Sequence, residues 1–133
     1  MKIYFAASIR GGRDDDDLYR ALIIELARFG NVLTEHITHP NDVEQGMTDR
    51  QIYERDMGWL REAEVVVAEV TTPSLGVGYE LASAQQLGKR ILCLFRPSSG
   101  QSLSAMISGA EALTVVEYET LEEATTAIET FLI

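Results

Sequence analysis

The sequence predicts a three-layer α/β fold, an open, parallel five-stranded sheet with helices on both faces, flavodoxin- or Rossmann-like. Three observations carry that expectation. Short apolar runs of strand length recur at residues 2–7, 31–34, 65–70, 91–95 and 113–117, and stretches of helical periodicity stand between them. Strands that alternate with helices imply a parallel sheet covered on both faces and joined by right-handed crossovers. With 133 residues and 46% hydrophobic content, the chain has enough apolar material for one core, so a single domain spanning 1–133 is expected.

The first run, Lys2 to Ala7, holds Ile3, Tyr4 and Phe5 and reads as a buried strand ending at Ser8. After Ile9, Arg10, Gly11, Gly12 and Arg13, four aspartates, Asp14 to Asp17, open a helix with an apolar stripe of Leu18, Leu22, Leu26 and Phe29. Acidic residues at a helix start answer the dipole, and these receive no chemical role. Gly30 reads as the helix C-cap, and Asn31 to Thr34 as a second strand. Glu35 to Asp49 is polar and irregular, a long loop over the strand ends, with His36 as a ligand contact and His39 on the surface. No third residue at metal-ligand spacing accompanies the two histidines, so neither a metal nor a cofactor is expected. The next helix runs from Thr48 to Arg61 with Ile52, Asp56, Trp59 and Leu60 on one face. Asp56 therefore lies on an apolar stripe, either satisfied by a neighbour or part of a site.

The third strand, Val65 to Val70, leads into Thr71-Thr-Pro-Ser-Leu-Gly-Val-Gly-Tyr-Glu80 and a helical stretch from Leu81 to Leu87. Pro73 and Ser74 break the strand, Gly76 and Gly78 allow close approach of a ligand, and a helix N-terminus offers free N–H groups to an anion. Glu80 is placed at the first turn, where the dipole favours its ionised form, beside a bound ligand. By local pattern alone, a stabilising acidic first turn with two packing glycines is an equal reading. Lys89 and Arg90 introduce a fourth strand at Ile91 to Phe95, which contains the lone Cys93 as buried filler. A turn at residues 96–100, a short helix from Gln101 to Ser108, a fifth strand from Leu113 to Glu117 and a helix from Leu121 to Leu132 complete the chain, the last with Leu121, Ile128 and Leu132 inward.

The formal net charge of -10 repels a nucleic-acid polymer or an anionic membrane surface. With no signal peptide and no apolar run near the roughly 20 residues of a membrane helix, a cytoplasmic protein is expected. In an open α/β sheet, ligands bind beyond the carboxyl ends of the strands, where both Ser8 to Arg13 and Thr71 to Glu80 fall. The first loop brings a hydroxyl, two guanidiniums and glycine N–H groups before a helix, a set suited to phosphate. The second adds Ser74 and Gly76. Neither a Walker-type loop nor the third glycine of a dinucleotide loop is present.

Together, Tyr4-Phe5, Ser8 to Arg13, Leu33 to His36, Asp56 with Trp59-Leu60, Val65 to Val70, Pro73 to Glu80, Arg90 to Pro97 and Leu103 to Ile107 resemble the 2'-deoxynucleoside 5'-phosphate N-hydrolases of the nucleoside 2-deoxyribosyltransferase superfamily. The resemblance runs from Ile3 to about Ile107 and implies hydrolysis of the N-glycosidic bond of a deoxynucleoside 5'-monophosphate. It implies Glu80 as nucleophile, Asp56 beside the leaving base and Tyr4 orienting the nucleophile. Phosphate contacts carry over to Ser8, Ile9, Arg10, Gly11, Gly12, Arg13, Ser74 and Gly76, and a base contact to His36. Ser104, Ala105 and Met106 match a segment that reaches across from a second subunit, which implies a homodimer. Ala7 departs from the glycine frequent in relatives and narrows the sugar pocket. The chemistry agrees with a retaining glycosidase, in which one carboxylate attacks the anomeric carbon and a second group protonates the departing one. Three other readings stay open: a deoxyribosyltransferase, which has no need of the Ser8 to Arg13 loop; a phosphoribohydrolase of the cytokinin-activating type, whose additional glycines are missing; and a non-catalytic nucleotide-binding module.

Overall fold

The structure, a computed structural model, describes residues 1–9, 15–38 and 44–133. Five parallel strands, β1 (Lys2–Ala7), β2 (Asn31–Val32), β3 (Val65–Glu69), β4 (Arg90–Phe95) and β5 (Leu113–Glu117), form one sheet in the order β2-β1-β3-β4-β5. The helices are α1 (Asp16–Ala27), α2 (Asp49–Glu62), α3 (Leu75–Gln86), α4 (Ala105–Ser108) and α5 (Leu121–Leu132). This is the doubly wound α/β fold expected from the alternation. Its strand order reverses between β1 and β3, the switch point at which such sheets open a crevice.

The pleat divides each strand between two cores. Ile3, Phe5, Val65, Val67, Leu92 and Leu94 pack against α1 and α5 through Tyr19, Leu22, Leu26, Ala124 and Ile128. Tyr4, Ala6, Val66, Ala68, Ile91 and Cys93 face the other way, toward Leu60 of α2 and Val77, Leu81 and Ala84 of α3. Because both faces are covered, the strands read as unbroken apolar runs. None of the described helices is long and apolar enough to cross a membrane.

Several elements depart from expectation, each for a local reason. β2 stops at Val32 because Thr34 turns its hydroxyl into the ladder, accepting from Phe5 N at 2.9 Å and donating to Phe5 O at 2.7 Å. The chain then makes a 3₁₀ turn at Glu35–Thr38. Gly30 is no left-handed cap: a Cβ there would sit 2.1 Å from Met1 O, so glycine serves close backbone approach. α3 begins at Leu75, not Leu81, capped by Ser74, whose hydroxyl accepts from Val77 N at 3.2 Å. Gly76 and Gly78 thus lie inside the helix rather than in a loop before it. The helix expected from Gln101 is the single turn α4, capped by Ser104. Ile128 and Leu132 of α5 are buried as expected, but Leu121 is 42% exposed and Ala124 takes its place.

Candidate active site

Tyr4 sits in mid-β1, where the pleat aims it at α2 and α3, and it is 1% exposed. Its hydroxyl donates a hydrogen bond to Glu80 Oε2. Glu80 lies one turn deeper in α3 than the sequence suggests, so the dipole at the helix start is not what governs it. Burial pushes its carboxyl up to about 7; the Tyr4 hydrogen bond opposes that rise, and the nearby Asp56 charge adds to it. The expectation of a fully ionised Glu80 is thereby corrected: near neutrality it is poised between its two forms. Tyr4 itself is driven far above the ordinary phenol range by burial and by Glu80, so it stays a donor.

Asp56 projects from α2 into the same space. Burial raises its carboxyl, while the hydrogen bond and charge of Arg55 pull it back down and Glu44 adds to the rise. Nothing in the sequence marks Arg55 for this place. In the fold, its Nε donates to Asp56 Oδ1 at 3.0 Å and its Nη2 lies 2.6 Å from Glu44 Oε1. The guanidinium also covers the Trp59 ring at 4.9 Å, and His36 packs on Trp59 at 5.0 Å. Burial and Arg55 lower the His36 pKa, favouring the neutral ring.

A cavity of about 360 Å³ collects these groups: Tyr4, Ala7, Ile9, His36, Asp56, Ser74, Gly76 and Glu80 line it, with Glu44, Tyr53 and Arg55 beside them. A Cβ on Gly76 would enter it, 3.8 Å from Ser74 Oγ and 4.0 Å from Glu80 Oε1. The sequence-expected residues are not all gathered here. Ser8 is buried at the end of β1 and does not line the cavity. Arg10, Gly11, Gly12 and Arg13 lie outside the described residues, as does His39. Ser104 and Met106 line a different, largely apolar cavity of about 580 Å³ on the other side of α3, with Pro73, Leu75, Val77, Leu81, Leu103 and Ile107. Ala105 is exposed beside them.

A second polar cluster went unnoticed in the sequence. Glu69, at the end of β3, is wholly buried and accepts from Tyr118 Oη, from Thr71 N at 2.7 Å and from Thr71 Oγ1 at 3.0 Å. Arg96 lies 3.6 Å from it and pairs at 2.9 Å with Asp15 at the head of α1. The cluster ties the ends of β3, β4 and β5 to the start of α1.

Comparison with known proteins bears on this arrangement. The model of the nucleoside 2-deoxyribosyltransferase family matches residues 3–120. A Tetraodon nigroviridis protein named 5-hydroxymethyl-dUMP N-hydrolase is 56% identical over 115 residues, covering 84% of this chain and 81% of its own. A Trichoplax adhaerens protein named as a candidate 2'-deoxynucleoside 5'-phosphate N-hydrolase 1 is 54% identical over 108 residues, 81% of this chain and 75% of its own. Among solved structures, a CMP N-glycosidase of Clostridium botulinum, BcmB, superposes with a TM-score of 0.70 over 98% of this chain and 99% of its own; at 16% identity, it speaks to the fold alone. The chain belongs to the nucleoside 2-deoxyribosyltransferase family, among the 2'-deoxynucleoside 5'-phosphate N-hydrolases.

Proposed function

We propose that the protein hydrolyses the N-glycosidic bond of 2'-deoxynucleoside 5'-monophosphates, releasing free base and 2-deoxyribose 5-phosphate. The observation that carries this reading is the hydroxyl of Tyr4 on one oxygen of Glu80, with Asp56 facing the same cavity. Tyr4 holds Oε2, which leaves Oε1, on the Gly76 side, to attack the anomeric carbon. The carbon–nitrogen bond breaks through an oxocarbenium-like transition state, its electron pair leaves with the base, and a glycosyl ester forms on Glu80. Protonated Asp56 delivers the proton the base needs. Water then attacks the same carbon, gives its proton to Asp56 and frees Glu80.

Phosphate recognition is assigned to Ser8, Ile9, Arg10, Gly11, Gly12 and Arg13 with Ser74 and Gly76, and a base contact to His36. Supporting it are the Ser74-capped start of α3 and the place of Ile9, Ser74, Gly76 and His36 on the cavity wall. Anchoring the phosphate far from the reacting carbon contributes orientation and hence rate. The working unit is one domain over residues 1–133, paired as a homodimer in which Ser104, Ala105 and Met106 serve the partner's site. In favour of the pairing, this segment lies away from its own chain's Glu80 cavity, and Leu75 and Met106 are 97% and 82% exposed. The lone, buried Cys93 suits a reducing, cytoplasmic setting.

The test is to incubate deoxy- and ribonucleoside monophosphates with and without a free acceptor base and to identify the sugar product. Free 2-deoxyribose 5-phosphate, formed in equal yield with or without acceptor, is expected. Sugar appearing on the acceptor base would assign a transferase instead, the activity for which the family is named.

A further inference from the structure

The one cation in the Glu80 cavity among the described residues is Arg55, and its geometry is that of a clamp. Both of its contacts with Asp56, from Nε at 3.0 Å and from Nη2 at 2.9 Å, fall on Oδ1, and among the described residues no hydrogen bond falls on Oδ2. Its far edge is held by Glu44 at 2.6 Å, Nη1 reaches Met47 Sδ at 3.5 Å, and its flat face lies over Trp59. A guanidinium fixed on three sides has little freedom to swing away, and its side chain is 16% exposed.

We propose that Arg55 is a positioning residue for the reaction: anchored by Glu44 and Trp59, it grips Asp56 by Oδ1 so that Oδ2 is presented to the leaving base. The proposal rests on the hydrolase reading, because it takes Asp56 as the group that meets the base.

Two opposed electrostatic consequences follow from the shared guanidinium. Arg55 favours the carboxylate of Asp56, whereas Glu44 both repels that carboxylate and draws the same guanidinium toward itself. The other titratable groups around Asp56 among the described residues are His36 from the 3₁₀ turn, Glu80 and Tyr79 from α3, Tyr4 from β1, and Asp49 and Tyr53 from α2. Among the described residues, only Glu44 and Arg55 form ion pairs in the chain that ends on Asp56. Replacing them should therefore move Asp56 in opposite directions.

The experiment is the pH profile of kcat for a deoxynucleoside monophosphate in wild type, Arg55→Gln, Arg55→Lys and Glu44→Gln. In parallel, the carboxyl carbon of Asp56 is titrated by NMR in the same variants on a Glu80→Gln background. A proton donor is active below its pKa, so activity falls on the alkaline side as Asp56 ionises. Arg55→Gln should carry that limb up by roughly 0.5–1 pH unit and Glu44→Gln should carry it down, as a partly exposed pair does. With the grip loosened, kcat of Arg55→Gln should also fall about tenfold while KM changes less. Arg55→Lys, which keeps the charge, should return the limb toward wild type. The NMR titration should show the same opposed shifts whether or not the protein turns over. An Asp56 titration that stays put in both Gln variants would overturn the proposal. Opposed shifts in a protein that hydrolyses no nucleotide would leave the clamp standing and remove the hydrolase reading instead.

Discussion

Glu80, the proposed nucleophile, meets two demands that oppose each other, since the burial that would poise it for attack also makes its charge costly. Its folded pKa, pushed up to about 7, lies above the ordinary carboxyl value of 4.5. The folded state therefore holds a proton that the unfolded state releases, and the group's contribution to stability is whole below about pH 4.5 and is lost as pH rises through about 7. A shift of that size corresponds to about 3 kcal/mol. Glu80→Gln keeps an acceptor for Tyr4 and has no charge to desolvate. It should abolish turnover with nucleotide binding nearly intact, match wild type in thermal stability near pH 4, and exceed it near pH 8. Melting curves at the two pH values decide the matter, and an equal gap at both would show that Glu80 ionises without penalty. For wild type, kcat/KM should rise on the acid side as the Glu80 carboxylate forms and fall on the alkaline side as Asp56 loses its proton. Glu80 as the candidate nucleophile was legible in the sequence. Its proton affinity was not, because Tyr4 and Asp56 come from other elements and only the fold puts them around it.

At the level of elements, α3 shows what a local reading does with glycine. Gly76 and Gly78 resemble a loop, and the helix was expected at Leu81; the Ser74 cap and the burial of Val77, Leu81 and Ala84 carry the helix back to Leu75 despite them. Glycine inside a helix costs roughly 0.5–1 kcal/mol relative to alanine, so its presence there calls for a reason. For Gly76, the reason is the cavity. Gly76→Ala should stabilise the protein by that amount while raising KM several-fold, because its methyl enters between Ser74 and Glu80. Gly58→Ala, in α2 with open space around its Cβ, should stabilise comparably with unchanged kinetics. A Gly76→Ala enzyme with wild-type KM would mean that no ligand approaches there. The Glu69 cluster was hidden for a related reason. Glu69 belongs to an apolar run, and its partners Thr71 and Tyr118 follow two different strands, so nothing local announces their meeting. Tyr118→Phe removes a donor from a buried carboxyl and should cost about 1–3 kcal/mol in a denaturation experiment, with folded activity retained. No measurable loss would show that Thr71 and Arg96 suffice for Glu69.

Across the whole molecule, alternating runs made the α/β class legible, but not which strands are neighbours. The order β2-β1-β3-β4-β5 sets Ala7 beside Glu69, so the ends of β1 and β3 open on the same crevice, while the Ser104 turn, beyond the end of β4, is carried to the far side of α3. A segment proposed for the site but standing away from its own Glu80 motivates the shared-site dimer, and symmetry supplies the test. In a two-fold dimer built this way, each site takes Glu80 from one chain and Ser104 from the other. Glu80→Gln and Ser104→Trp are then both inactive alone, the second because the indole blocks the neighbouring phosphate pocket. Mixed under conditions that let subunits exchange, the two produce dimers in which one site inherits both defects. The other site pairs the intact Glu80 of the Ser104→Trp chain with the intact Ser104 of the Glu80→Gln chain. Random exchange makes about half the dimers mixed, each with one working site of two, so roughly a quarter of wild-type activity should return. If Ser104 served its own chain, every site in a mixed dimer would carry a defect, and no activity would appear although mass spectrometry showed the mixed species.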